Sequence, residues 1–396
     1  MTPPRLAIVG GGPAGMMAAI RAAETLGGPR IVLFDKNERL GRKIYLTGKG
    51  RCNLTNLRPW EEFSAHIHPN QGFLKPSFRA FSNEAVCTFF AQSGVPTVTL
   101  QGQRVYPASL SAGDVARALE RRVREAGVDI RYGTTVHSLS ELSAFGAVIV
   151  ATGGKSYPVT GSTGDGYRMA REAGHRVIPD FPSETALRPD RYDSAPIGLT
   201  LKNVGLQLRI DRTVVQSEQG EFNFTEDGLE SGIAYLLSRR AVHALVNGQQ
   251  VELLLDLKPA LSVETLAARL AREQAGQTGG RPGRNVLRGL MPEALIPFFL
   301  PAHPDLNFSN LPDRLKNWPI RIAGYKGYER AVVTAGGVCL KEIVPKTMAS
   351  RLHPGLYFCG EVLDLDGDTG GYNLQIAFST GAAAGTAAAR YLLSLA

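Results

Sequence analysis

The chain has 396 residues, 43% of them apolar and 20% charged, with 44 glycines and a formal charge of +8. That length buries a large core and allows two or three domains, and the balance excludes a disordered or low-complexity chain. Four cysteines, at 52, 87, 339 and 359, lack C-x-x-C spacing, which excludes a disulfide framework and suits a reducing cytoplasm.

In chain order, Leu6 to Val9 is an apolar run that predicts a buried strand. Gly10, Gly12 and Gly15 follow at G-x-G-x-x-G spacing, and Pro13 and Ala14 open an Ala-rich helix. Gly10 permits a tight turn, Gly12 lets backbone approach a diphosphate, and Gly15 lets helix and strand pack closely. The helix N-terminus offers free N–H groups and a positive dipole end to phosphate. Ile31 to Phe34 reads as the next strand, and Asp35 ends it twenty residues after Gly15, where an acid accepts hydrogen bonds from ribose. Lys36 adjoins that acid, and Lys43, in the basic turn beyond, is a candidate phosphate bridge. The loop through Gly50, Arg51, Cys52 and Asn53 has no packing periodicity, so its polarity points to use. Cys52, with no second cysteine nearby in sequence, reads as a packing residue rather than a redox thiol.

Residues 83–93 read as a helix, and Ser111 with Asp114 forms an S-x-x-D capping box for another that runs to Ala126. Strands are expected over Val128 to Tyr132, Thr135 to Leu139 and Phe145 to Ala151, the last ending in Thr152-Gly153. Alternating strands and helices argue for a doubly wound α/β sheet. From Pro189 to Leu257 the texture turns to short alternating segments, including Leu206 to Asp211 and Val251 to Leu255. An amphipathic helix over Leu261 to Glu273, a loop over Gly276 to Gly283, and short helices over Val286 to Leu300 and Leu311 to Asn317 follow. Strand-like, glycine-rich character returns at Val332. The expected organisation is a Rossmann-like domain built from both chain ends, residues 1–188 and 332–396. A β-rich inserted module over 189–258 and a mainly helical segment over 259–331 lie between.

Leu356 to Cys359 is a strand that meets Gly360-Glu361, and a polar glycine-rich turn through Asp366 leads to Gly371-Tyr372-Asn373-Leu374 and an apolar helix. Gln375, Ser379, Thr380 and Arg390 make that helix a buried one rather than a membrane span. The strand, turn and helix start repeat the first device. Two such helix ends in one domain suit one long ligand, the first taking a diphosphate and the second a ring edge that gains negative charge on reduction. A flavin has that edge and a nicotinamide does not, which favours FAD.

Several blocks resemble a family of bacterial FAD-dependent flavoproteins, the NAD(P)/FAD-dependent or aminoacetone-oxidase-type oxidoreductases, which includes a bile-acid dehydro-steroid reductase. They are Gly10 to Gly15, Gly41-Arg-Lys43 with Thr47-Gly-Lys-Gly-Arg-Cys-Asn-Leu-Thr-Asn56, Ala151 to Pro158, Thr160 to Tyr167, Thr334-Ala-Gly-Gly-Val338, and Gly360 to Asn373. The resemblance implies a two-part FAD domain with an inserted β-barrel-like and helical region. It also implies that the 51–53 loop borders the flavin, that Ala151-Thr152-Gly153 passes near the cofactor, and that Val136 holds adenine by backbone contacts. The middle departs from the better-known branch: Phe224-Thr-Glu-Asp-Gly-Leu-Glu-Ser-Gly-Ile233 stands where that branch has Thr-His-x-Gly-x-Ser-Gly-Pro.

Glu361 and Asp366 are candidates for the ribityl chain or ring, and Tyr157 and Tyr167 for the substrate side. His66 and His68, without a third ligand nearby in sequence, suggest no metal. The residues assign no catalytic side chain. The expected function is a cytoplasmic FAD-dependent oxidoreductase acting on a small organic substrate or oxygen, with NADH or NADPH as a transient donor. The charge of +8 fits an anionic cofactor. Scattered basic residues argue against nucleic acid, although an arginine-bearing stretch at 281–288 keeps an RNA-associated flavoprotein as the alternative, beside a flavin-bound sensor.

Overall fold

The computed structural model describes residues 5–192, 196–274 and 281–395, so residues 276–280 of the expected loop lie outside the described residues. The chain divides into two compact units, residues 1–181 with 332–396, and residues 182–331.

The first unit is built on a parallel sheet. Its strands are β1 (Leu6–Val9), β2 (Ile31–Phe34), β3 (Asp129–Arg131), β4 (Ala147–Val150) and β5 (Leu356–Phe358), in the order β5-β4-β1-β2-β3. Leu6 is in register with Ile31 on one side and Ala147 on the other. β1 is fully buried, which is why its four residues are all apolar rather than alternating. Helix α1 (Pro13–Leu26) follows β1, α2 (Ala112–Glu125) precedes β3, and α3 (Tyr372–Ser394) follows β5. β5 pairs with β4, and α3 packs along α1 with the backbone of Gly381 and Gly385 against Ala14 and Ala18. Both chain ends therefore build one Rossmann domain, as the sequence implied. Among the described residues no helix is long and apolar enough to cross a membrane.

Two local expectations fail. Ser111 is the N-cap of α2 but its hydroxyl makes no cap bond, and Asp114 pairs with Arg117 instead. Thr135 to Leu139 is not a strand. Ser138 there caps a 3-10 turn over Leu139–Leu142, with the Glu141 carboxylate accepting from the N–H groups of His137 and Ser138, each at 3.0 Å. Reaching back to the cap N–H takes the length of a glutamate, which Asp114 lacks.

The second unit carries a closed six-stranded barrel in the order Leu187–Pro189, Gly228–Glu230, Thr213–Thr225, Thr200–Ile210, Val251–Asp256 and Trp318–Tyr325. The last strand, expected within a mainly helical stretch, closes the barrel by pairing with Val251 to Leu255 and with Leu187 to Pro189. Pro319 and Gly324 mask it in the sequence, since both residues count against a strand interior. Its alternating burial shows one face inside. Trp318, Phe299 and His303 cluster there, with ring centroids 4.5–5.8 Å apart.

His303 is buried and its Nε2 has no partner among the described residues. Burial, helped by the Arg314 charge and opposed by Asp305 and Asp313, pushes its pKa down to about 4. The folded state therefore holds a neutral ring while the unfolded chain takes up a proton near pH 6.5, so stability falls as pH drops from 6.5 towards 4. The loss should reach about 2–3 kcal/mol at pH 4.5. Urea unfolding at pH 7 and 4.5 should show this slope in the parent and a flatter one in His303→Leu; equal slopes would contradict it.

Candidate functional site

The glycine turn at the C-terminal end of β1 has a backbone that side chains would break. Gly10 has φ +105°, and a Cβ there would lie 2.5 Å from the Ala151 carbonyl oxygen. A Cβ on Gly15 would lie 1.9 Å from the carbonyl oxygen of Gly10. Gly12 differs: its backbone is extended and its Cβ would meet no atom of the described residues within 4 Å. The N-cap of α1 has no side-chain cap and its first turn has no acid, so Pro13 and Ala14 begin a helix whose positive end the protein does not itself neutralise. That open space beside free N–H groups fits a diphosphate.

Asp35 stands beside this turn. Its Oδ2 accepts from Gly11 N at 2.7 Å, and its Oδ1 from Asn37 N and Nδ2 at 2.8 and 2.9 Å. The acid thus braces the glycine turn, a role the sequence reading missed, and keeps one lone-pair site on Oδ2. Lys36 does not face a ligand: its ammonium is paired with Asp165 and donates to Thr163 at 2.8 Å. Ala151 donates to Val9 at the end of β1, Thr152 and Gly153 continue from it, and Val136 is buried in irregular backbone.

At the same N-terminal end of α1, Gly360 packs on Ala14, where a Cβ on the glycine would come within 2.7 Å of the Ala14 Cβ. The Lys43 ammonium lies 3.0 Å from Glu361 Oε2, and Glu361 Oε1 accepts from Thr334 N at 2.9 Å. The Thr334 hydroxyl oxygen accepts from the N–H groups of Lys155 and Ser156 at 2.9 and 3.0 Å. One polar network thus joins residues 43, 155–156, 334 and 361. Lys43 is an ion-pair partner here, and Glu361 a brace as well as a candidate ligand.

The loop at 48–52 winds through left-handed conformations at Gly48, Lys49, Gly50 and Cys52. Burial pushes the Cys52 thiol up to about 12, so it is a protonated packing group. Arg51 turns outward, its guanidinium 5.3 Å from the Tyr106 ring centre. Asn53 Oδ1 is buried without a partner among the described residues, and a Cβ on Gly371 would come within 2.9 Å of it. Gly371 is the N-cap of α3, again with no side-chain cap and no acid in the first turn. A partnerless acceptor beside a helix start without a side-chain cap fits the donor-and-acceptor edge of a flavin pyrimidine ring.

Three expected side chains face inward instead. The Tyr372 ring is buried and stacks on His66 at 4.5 Å, and its hydroxyl oxygen accepts from Arg58 at 2.9 Å. Asn373 holds Gly367 at both its N–H and its carbonyl, at 2.8 and 2.7 Å. Asp366 is buried in a short ladder opposite His68. Leu374 is buried as well. Tyr167 is buried too, under Lys155, rather than facing a substrate.

Sequence reasoning missed the Asp368 carboxylate, which accepts from His66 Nδ1 at 2.8 Å and His68 Nε2 at 3.0 Å; 300 intervening residues hid the trio. These hydrogen bonds hold its carboxyl below the usual range despite the opposing effect of burial. It also missed the pairing of Gly381 and Gly385 with α1, although a small residue every fourth position on a helix is a readable signal.

The model of the HI0933-like protein Rossmann domain matches residues 4–387. A 3-dehydro-bile acid delta(4,6)-reductase of Clostridium scindens is 32% identical, the match covering 97% of this chain and 99% of the relative. A ribosomal RNA dihydrouridine synthase of Haemophilus influenzae is 30% identical, covering 94% and 95%. Among solved structures, 3-ketosteroid delta1-dehydrogenase from Sterolibacterium denitrificans shares the fold, with a TM-score of 0.51 at 12% identity over 98% of this chain and 99% of that one.

Proposed function

The chain belongs to the HI0933-like Rossmann family and is a flavin-dependent oxidoreductase; we propose that it holds FAD and reduces a carbon–carbon double bond conjugated to a carbonyl. The observation that carries this is the pair of relatives matched over nearly the whole chain. Their named substrates, a 3-oxo steroid with ring double bonds and the uracil of RNA, share only that bond type.

Bound FAD would supply a two-electron hydride store. The chain's own residues supply binding and electrostatics. The N–H groups opening α1 beside Gly12 hold the diphosphate, and Asp35 takes the adenosine ribose. Asn53 Oδ1 would accept from the ring N–H of the pyrimidine, and the backbone N–H groups at the start of α3 would face its carbonyl edge, where negative charge rises on reduction. Glu361, paired with Lys43, fixes Thr334 against Lys155 and Ser156. NADH or NADPH is the donor in this reading, so one nicotinamide hydride and one solvent proton add across the double bond.

A second reading keeps the bond and changes the substrate to RNA. The Haemophilus relative favours it and weighs against the expected exclusion of nucleic acid. Of the arginines at 281–288, Arg284 and Arg288 are both paired with Glu293, which reduces the charge they offer phosphate.

An anaerobic titration tests both readings. NADH or NADPH should bleach the flavin of the purified protein, and a 3-oxo-Δ4 steroid or another enone should restore its colour. Recovery with a ribosomal RNA transcript but no small enone would select the second reading. A colourless protein that cannot be reconstituted with FAD would sink both.

A further inference from the structure

We propose that Lys36 and Asn37 retain the cofactor indirectly, by fastening residues 155–163 as a strap across the sheet edge that receives the adenosine half of FAD. The proposal rests on the FAD reading above. Its starting point is the misplaced lysine: adjacent to the ribose acid in sequence, Lys36 spends its ammonium on Asp165 and Thr163.

The route of the chain gives that pair a purpose. The segment leaves β4 beside Gly10, where Ala151 donates to Val9. It reaches the end of β2 at Asn37, whose Nδ2 donates to the Thr160 carbonyl at 3.1 Å. β1 lies between β4 and β2 in the sheet. The segment must therefore cross the C-terminal end of β1, where the glycine turn begins.

It is tied at three places. Thr334 Oγ1 holds the N–H groups of Lys155 and Ser156. Asn37 holds Thr160 and presses on Gly161, where a Cβ would come within 2.7 Å of Asn37 Nδ2 and φ is +102°. Lys36 holds Thr163 and Asp165, and Thr163 itself donates to Asp165 at 2.8 Å. The same Asn37 amide that holds the strap also donates to Asp35, while its oxygen accepts from Arg42 at 2.7 Å. The ribose acid and the strap are thus positioned by one side chain.

A segment ordered in advance lowers the entropic cost of ligand binding and shields a diphosphate from water. The Lys36 and Asp165 side chains are 30% and 17% exposed, so salt screens their attraction only in part. Lys36 and Asn37 are positioning residues in this scheme, acting on the ligand through the strap.

The experiment compares FAD with FMN, which carries the same ring and ribityl phosphate but no adenylate. Binding to the flavin-free protein would be followed by fluorescence quenching for the parent, Lys36→Met, Lys36→Arg, Asp165→Asn and Thr163→Val, each checked for folding by its unfolding midpoint. Lys36→Met and Asp165→Asn should each weaken FAD about tenfold and together no more than one alone. Lys36→Arg should restore most of the affinity, and FMN affinity should not move. Added salt should speed FAD release from the parent but not from Lys36→Met. Thr163→Val, which removes the strap's contacts to Lys36 and Asp165 without touching Asp35, carries the test where a charge variant fails to fold and should also weaken FAD but not FMN. Equal losses for FAD and FMN, or unchanged FAD affinity, would overturn the strap while leaving the flavin reading intact. A parent that binds neither flavin would overturn both.

Discussion

Replacing Gly12 with valine is expected to give a folded protein that emerges without FAD. The backbone at Gly12 is extended, with φ −75° and ψ −178°, so a branched residue is tolerated there. Its Cβ would point into space where no atom of the described residues lies within 4 Å. The fold therefore has no quarrel with the side chain, and the whole cost falls on whatever fills that space. Three carbon atoms there would displace a diphosphate from the N–H groups of α1, and FAD affinity should drop at least about a hundredfold. Gly15→Ala is the control with the opposite signature. Its Cβ would overlap the Gly10 carbonyl oxygen at 1.9 Å, so it should lower the unfolding midpoint as well as flavin content. Visible absorbance and thermal unfolding of the two variants would separate binding from stability. Flavin retained at parental stoichiometry by Gly12→Val would show that the turn does not hold the cofactor.

The contrast explains what the sequence made legible. The first device is local: strand, turn, helix and acid fall within thirty residues, and Gly10 and Gly15 answer to steric demands the structure displays. The barrel was half legible. Val251 to Leu255 announces itself by alternation, whereas Trp318–Tyr325 hides behind Pro319 and Gly324 and is recovered only by its partners. In the candidate site, residue positions were easier to read than side-chain directions. Tyr372 and Asn373 belong to the expected turn, yet their side chains brace it from within, through Arg58 and Gly367. Periodicity says which residues lack a core role; it does not say which way a polar side chain turns once His66, Arg58 and Gly367 offer partners from elsewhere in the fold. Lys36 and Asp368 show the same limit, because their partners stand 129 and about 300 residues away.

Gly385→Leu is expected to destabilise the Rossmann domain strongly. α1 and α3 touch backbone to backbone: a Cβ on Gly385 would lie 2.1 Å from the Ala18 carbonyl oxygen, and one on Gly381 would lie 2.3 Å from that of Ala14. A carbonyl oxygen in a helix cannot swing aside as a side chain can, so the helices must separate along their whole contact. Ala14, Ala18, Ala22, Ala384 and Ala388 are all buried, and each would lose packing against its neighbour. The expected loss is about 3 kcal/mol or more for leucine and less for alanine at the same position. The effect should extend to the ligand, because Gly360 rests on Ala14 and sets the distance between the two helix starts. FAD release should therefore quicken in Gly385→Ala even where the protein stays folded, in proportion to the fall in its urea midpoint. Flavin release that is unchanged while stability drops would mean that the two helix ends do not hold one molecule, and the shared cofactor would have to be abandoned before the fold was.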